Sequence, residues 1–131
     1  MSNATQRTLA ALRTQGYICG MVERFVRDGQ FGHRVDLFGI IDLIALDKNP
    51  NTGGVIGIQS CTTAYTAHVR TITEDCKQNT IDWLETPNCR LELWAWRKIK
   101  KKRGGKLKIW KPRIADIYLQ RGKLVVVERE T

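Results

Sequence analysis

The sequence predicts an α/β fold, a mixed central β-sheet flanked by helices, in the order helix, strand, strand, strand, helix, strand, followed by two C-terminal strands. Three observations predict it. Apolar residues switch along the chain between a spacing near 3.6 and strict alternation. One stretch, Leu37 to Leu46, is apolar on both faces, as a strand covered from both sides would be. Clusters of Gly, Pro and Asn fall where the periodicity changes. At 131 residues the chain suits a single domain, 1–131, long enough to bury a core.

Each element has its own justification. Residues 2–15, "SNATQRTLAALRTQ", start on small polar residues, carry Leu9, Leu12 and alanines on one face and meet Gly16, which reads as a helix with its stop. "YICGMVERFV" (17–26) alternates as a strand with Tyr17, Cys19, Met21, Glu23 and Phe25 on one face. "RDGQFGHR" (27–34) reads as a turn-rich gap. "VDLFGIIDLIAL" (35–46) is the expected central strand, "DKNPNTGG" (47–54) a loop and "VIGIQSC" (55–61) the next strand. From Thr62 or Thr63 to Glu85, hydroxyl caps lead a helix in which Val69, Ile72, Cys76 and Trp83 recur near 3.6 residues, until "TPN" breaks it. "CRLELWAWRKIK" (89–100) and "GKLKIWKPRIADIYL" (105–119) are strands around "KKRGG", and "KLVVVERE" (123–130) is the last. The chain shows no internal repeat and no interdomain linker.

The longest apolar stretch is too short to span a bilayer, so no membrane association is expected. The first residues lack the basic start, apolar centre and cleavage site of a secretion signal, which predicts a cytoplasmic protein. Four cysteines stand far apart without a CxxC pair, and His33 and His68 share no ligand spacing with them. Reduced thiols are therefore expected, not a structural zinc site.

Charge is concentrated. The run 97–113, "RKIKKKRGGKLKIWKPR", holds ten of the 22 Lys and Arg and none of the 13 Asp and Glu, in a chain of net charge +9. Arg97, Lys98, Lys100, Lys101, Lys102, Arg103, Lys106, Lys108, Lys111 and Arg113 thus form a basic hairpin suited to a polyanion, of which nucleic acid is the commonest. The competing reading is a solvated tip whose lysines keep a sheet edge from aggregating. On the first strand of this hairpin, Glu92, Trp94, Trp96, Lys98 and Lys100 share one face and Leu91, Leu93, Ala95 and Ile99 the other. Trp94, Trp96 and Trp110 either join the lysines in a surface that stacks bases and grips phosphates, or lie under a helix while the lysines reach outward.

The polar residues of the two middle strands pose the sharper question. If Asp47 faces Gly54 across the loop, an antiparallel register places Asp42 opposite Gln59, and Cys61 shares the Gln59 face. A carboxylate among Ile40, Ile41, Leu43 and Ile44 must find donors, a cation or water. One solution is Mg²⁺ or Mn²⁺ held by oxygens of Asp42 and Gln59; the other is a satisfied Asp42 bonded to Gln59 and to the helix start near Thr62 and Thr63.

The run "IIDLIAL", a loop and "IGIQSC" resembles the PD-(D/E)XK nuclease superfamily, and is similar to archaeal Holliday-junction resolvases and small phage nucleases of that fold. The resemblance covers roughly residues 5–100. It implies a metal-dependent endonuclease acting on DNA, with Asp42 in the place of the metal-binding Asp, Gln59 in that of the second acidic ligand and Cys61 in that of the lysine. Gln in that place holds a metal with less charge, and a thiol supplies no cation to orient water or steady phosphate charge. Arg70, His68 or Lys77 from the following helix are candidates to replace the lysine. Glu23 or Asp36 are candidates for the acid that family members often carry on the first helix. Small nucleases of that fold commonly act as homodimers. The alternatives are a protein of the same fold that binds nucleic acid without cutting it, and an interaction module whose basic strip meets an acidic protein partner.

Overall fold

The computed structural model describes residues 3–130. Its elements are α1 (Asn3–Thr14), β1 (Ile18–Met21), β2 (Arg24–Asp28), β3 (Phe31–Val35), β4 (Leu43–Asp47), β5 (Gly54–Thr62), α2 (Tyr65–Arg70), a π-helical turn (Thr71–Asp75), α3 (Lys77–Glu85), β6 (Cys89–Lys100), β7 (Lys108–Gln120) and β8 (Lys123–Glu128). Six strands form a mixed sheet in the order β1-β4-β5-β6-β7-β8, with β5 and β6 parallel and the other neighbours antiparallel. The parallel pair needs a crossover, which the α2–α3 segment supplies. The fold is the expected mixed sheet flanked by helices.

Helices cover both faces. α1 lays Ala4, Leu9 and Leu12 on Leu43, Ala45, Ile56, Ile58, Trp94 and Trp96. On the other face Ile72, with Val69, Cys76 and Trp83 at its margin, meets Ile40, Ile41, Leu91, Leu93, Ala95 and Ile117. Burying each of the larger side chains stabilises the fold by roughly 1.5–3 kcal/mol. The alternation predicted for 89–100 holds: the tryptophans take the α1 face and the leucines the opposite one.

Three strand and loop expectations need correction. The strand expected over 17–26 is two elements, because Val22 and Glu23 leave the sheet and both donate their N–H groups to the Asp42 carbonyl. The expected gap at 27–34 lies in a hairpin, β2 with β3, that forms a separate two-stranded sheet. Its turn begins on Gly29 at φ 63°, which a two-residue hairpin turn with glycine first requires. The strand expected over 35–46 is regular only from Leu43; before it, Leu37 bridges Ile41 around a turn with Phe38 at φ 56° and Gly39 at φ 76°.

The helix expected from Thr62 or Thr63 to Glu85 is interrupted by the π-helical turn. Thr80, fully buried, points its single hydroxyl hydrogen between the carbonyls of Ile72 and Cys76, 2.7 and 3.1 Å away, and so serves the break. For α1, Ser2 of the predicted span lies outside the described residues. Among the described residues, no helix is long and apolar enough to cross a membrane.

Candidate metal centre and nucleic-acid surface

The observed register pairs Asp47 with Gly54 and Leu43 with Ile58, and one step further brings Asp42 beside Gln59. The ladder ends there: the Asp42 N–H donates to the Ile58 carbonyl at 3.0 Å, and the chain then turns away. That leaves the Ser60 N–H of β5 without a β4 carbonyl. The Asp42 carboxylate takes its place, with Oδ2 accepting from the Ser60 N–H and hydroxyl, each at 3.0 Å, and from the Gln59 amide at 3.4 Å. The Ser60 hydroxyl also lies 3.0 Å from that of Thr5 on α1. Asp42 therefore has three donors on one oxygen and is not tied to the helix start near Thr62 and Thr63.

Its other oxygen, Oδ1, is buried without a hydrogen-bond partner among the described residues. Such an atom costs free energy unless a proton or a cation meets it. Burial pushes the Asp42 carboxyl up to about 7; the Ser60 hydrogen bonds oppose this, and the charges of Asp36 and Glu23 reinforce it. Glu23, Asp36 and Asp42 each bring a carboxylate oxygen within 4.8 Å of the others. All three donors are hard oxygens, the chemistry that suits Mg²⁺ or Mn²⁺. The structure thus gathers around Asp42 the two acids that the sequence offers in place of the helix acid. Glu23 arrives because the chain crosses Asp42 on leaving β1. Asp36 arrives through the left-handed turn at Phe38, whose carbonyl accepts from Asn79 of α3 at 2.9 Å.

The remaining candidates are placed differently. Cys61 packs with Ile40, Ile41, Leu93 and Ala95, and burial raises its thiol to about 11, so it is protonated and neutral at physiological pH. Arg70 pairs with Glu74 at 3.2 Å, both well exposed. Lys77 is exposed at the start of α3. His68 is half-buried, and burial lowers its affinity for a proton although the charge of Asp36 opposes that. Arg34 on β3, which no sequence pattern singles out, reaches Glu23 at 3.1 Å and is the cation tied to the acidic group. Ser60 is equally silent in the sequence. Its position between Gln59 and Cys61 marks it as a spacer on the opposite face, and only the end of the β4–β5 ladder brings both faces to one carboxylate.

The basic run forms the outer ends of β6 and β7 and their loop. Register pairs Thr62 at the end of β5 with Trp96, so Arg97 to Lys100, still paired with β7, extend past the end of β5 on the side of Asp42 and Gln59. Arg97, Lys98, Lys100, Lys101, Lys102, Arg103, Lys106 and Lys108 are exposed, and Lys111 is half-buried. Arg113 is committed elsewhere: it binds Glu128 at 2.6 and 3.1 Å and its guanidinium carbon sits 3.7 Å from the centre of the Tyr65 ring.

Trp94 and Trp96 do not join this surface. Trp94 and Trp96 are 2% and 6% exposed, and the Trp96 N–H donates to Thr8 of α1 at 2.8 Å. Trp110 is half-buried, with Arg7 3.8 Å and Lys98 5.3 Å from its ring centre. Trp94 and Trp96 thus lie under a helix with the lysines outward, while Trp110 lies between Arg7 of α1 and Lys98 of the basic run. A polar cavity of about 250 Å³ is lined by Arg90, Glu92, Asp116 and Arg129; Arg129 pairs with Glu92 and Asp116, and Arg90 with Asp47. No family model, curated protein or solved structure matches the chain.

Proposed function

We propose that the protein is a divalent-metal-dependent nuclease that grips DNA along the basic ribbon of β6 and β7 and hydrolyses a phosphodiester at the Asp42 cluster with Mg²⁺ or Mn²⁺. One observation carries this reading: a buried carboxylate oxygen without a partner, in a group of three carboxylates whose oxygens approach within 4.8 Å. The ligand set is Asp42 with Glu23 and Asp36. Gln59 is 4% exposed and steers Asp42, and rotation of its amide would offer one further oxygen. When bound there, a divalent ion lowers the pKa of a water and offsets charge on the phosphate. Ser60 and Gln59 fix the Asp42 carboxylate, Arg34 neutralises part of the acidic group, and the exposed lysines beyond Trp96 bind the backbone.

Incubation with single-stranded, duplex and branched DNA in Mg²⁺ or Mn²⁺ tests it. Wild type cleaves at least one of them and Asp42→Ala none; equal cleavage by the two sinks the nuclease reading. The neutral Cys61 in the lysine's place favours a second reading, a protein that binds nucleic acid and leaves it intact. In either case the ribbon contacts phosphates, so replacing Lys100, Lys101 and Lys102 by Ala is expected to shallow the salt dependence of DNA binding by up to roughly 0.9 log units per lost contact. An unchanged slope would move the ribbon to the third reading, a surface for an acidic protein partner.

A further inference from the structure

The β2–β3 hairpin is not accounted for by the metal cluster or by the basic run. We infer that it is a second nucleic-acid contact, on which unpaired bases adjoining the phosphate at the Asp42 cluster stack against Phe25 and Phe31. The first cross-strand pair of the hairpin is Arg24 with Val35. Glu23 immediately precedes that pair and Asp36 immediately follows it, so two of the three clustered acids form the base of the ribbon. A strand anchored by a phosphate at the cluster therefore has the hairpin as a neighbour. Between them, Arg24, Val35, Asp36 and Phe38 line a groove of about 400 Å³.

The ribbon presents aromatic rings in the open. Phe25 is 60% and Phe31 79% exposed. Cross-strand partners share a face, which puts Phe25 with Arg27 and Arg34 on one side and Phe31 on the other, opposite Asp28 and beside Arg24, Val26 and His33. Phe25 lies against Gly32, where an added Cβ would stand 2.0 Å from the ring's Cζ. Gly32 thus lets the ring lie flat along the ribbon, with its other side open. Open rings beside arginines bind unpaired bases, whose π faces are free, whereas a duplex keeps those faces stacked inside itself. With Arg34 paired to Glu23 at 3.1 Å, Arg24 and Arg27 against Asp28 leave the ribbon a small positive balance for phosphates, and the open rings favour bases over a peptide.

The inference rests on the cluster being a phosphodiester site, and its test needs no metal, so the two fail separately. Anisotropy of a fluorescein-labelled oligothymidylate and of a duplex of equal length, both in EDTA, is measured with the full chain. Phe25→Leu and Phe31→Leu are each expected to weaken single-strand binding by about tenfold, with duplex binding at the wild-type level and Phe→Tyr at either site restoring affinity. Both rings stand outside the core, and unchanged thermal unfolding of the variants confirms that folding is intact. Wild-type affinity in the Leu variants, equal weakening on both substrates, or Tyr as poor as Leu would overturn it. Loss of DNA cleavage in Asp42→Ala bears on the cluster alone and leaves the ring effect where it was.

Discussion

Asp42→Asn is expected to abolish metal-dependent cleavage and, in the same protein without metal, to raise the melting temperature at pH 8 by about 5–10 °C. The two effects have one cause. The Asp42 carboxyl titrates at about 7 in the fold against an ordinary value of 3.8, because burial removes its charge from water. The folded state therefore holds a proton more tightly than the unfolded chain. Its stability falls as pH rises from about 4 to about 7, by about 1.4 kcal/mol for each pH step, and the penalty is complete above that at a few kcal/mol in all. Asparagine carries no charge to bury. Its carbonyl oxygen can accept the Ser60 hydrogen bonds, and its amide can donate toward Glu23 and Asp36.

Near pH 4 the unfolded chain takes up the proton as well as the fold, and the two melting temperatures should converge. Mn²⁺ should close the gap from the other side at pH 8, by binding the charged form of wild type and raising its melting temperature while leaving Asp42→Asn unmoved. Thermal unfolding of both proteins at the two pH values, with and without Mn²⁺, reads all four cases. A variant less stable than wild type at pH 8 would mean that the Asp42 charge is already compensated within the fold. The opposed changes are the expected mark of a residue kept for chemistry at a cost in stability.

The Asp42 register is legible in the sequence because a loop with clear composition sets one pair, Asp47 with Gly54, and period two carries the rest. The faces of β6 are legible for the same reason. The ligand set is legible only in part. Glu23 and Asp36 meet Asp42 because β1 ends where it crosses Asp42 and because Phe38 adopts a left-handed conformation. Neither event has a period, and phenylalanine carries no hint of positive φ. The β2–β3 hairpin escapes for a different reason: Arg24, Phe25, Arg27, Phe31, His33 and Arg34 are exposed on both faces, so the alternation that betrays a half-buried strand never arises. The break in the helical segment is hidden because Val69, Ile72, Cys76 and Trp83 all still reach the same core cluster. The π-helical turn adjusts the backbone and leaves the apolar face intact.

Arg129→Ala is expected to destabilise the fold by about 2–3 kcal/mol, through a site the basic composition of the chain conceals. Register places Glu92 directly opposite Asp116 on neighbouring strands, two like charges that repel. Glu92 is 5% exposed. Its Oε1 accepts the Trp94 N–H at 2.9 Å, and Oε2 lies 2.9 Å from Arg129, which also grips both oxygens of Asp116 at 2.7 and 2.8 Å. Removing Arg129 leaves a buried carboxylate facing a second one. The Arg129 side chain is 43% exposed, so solvent screens part of its contribution and the loss falls below that of breaking a fully buried pair. Adding Glu92→Gln should recover most of the loss, since an amide keeps the Trp94 hydrogen bond and carries no charge. Denaturant unfolding of the single and double variants measures this, and a single variant within about 0.5 kcal/mol of wild type would show that water already solvates Glu92. Because Arg129 packs on the α1 face and Asp42 sits between β1 and β5, cleavage by Arg129→Ala below its melting transition should stay at the wild-type level, which separates the scaffold from the site.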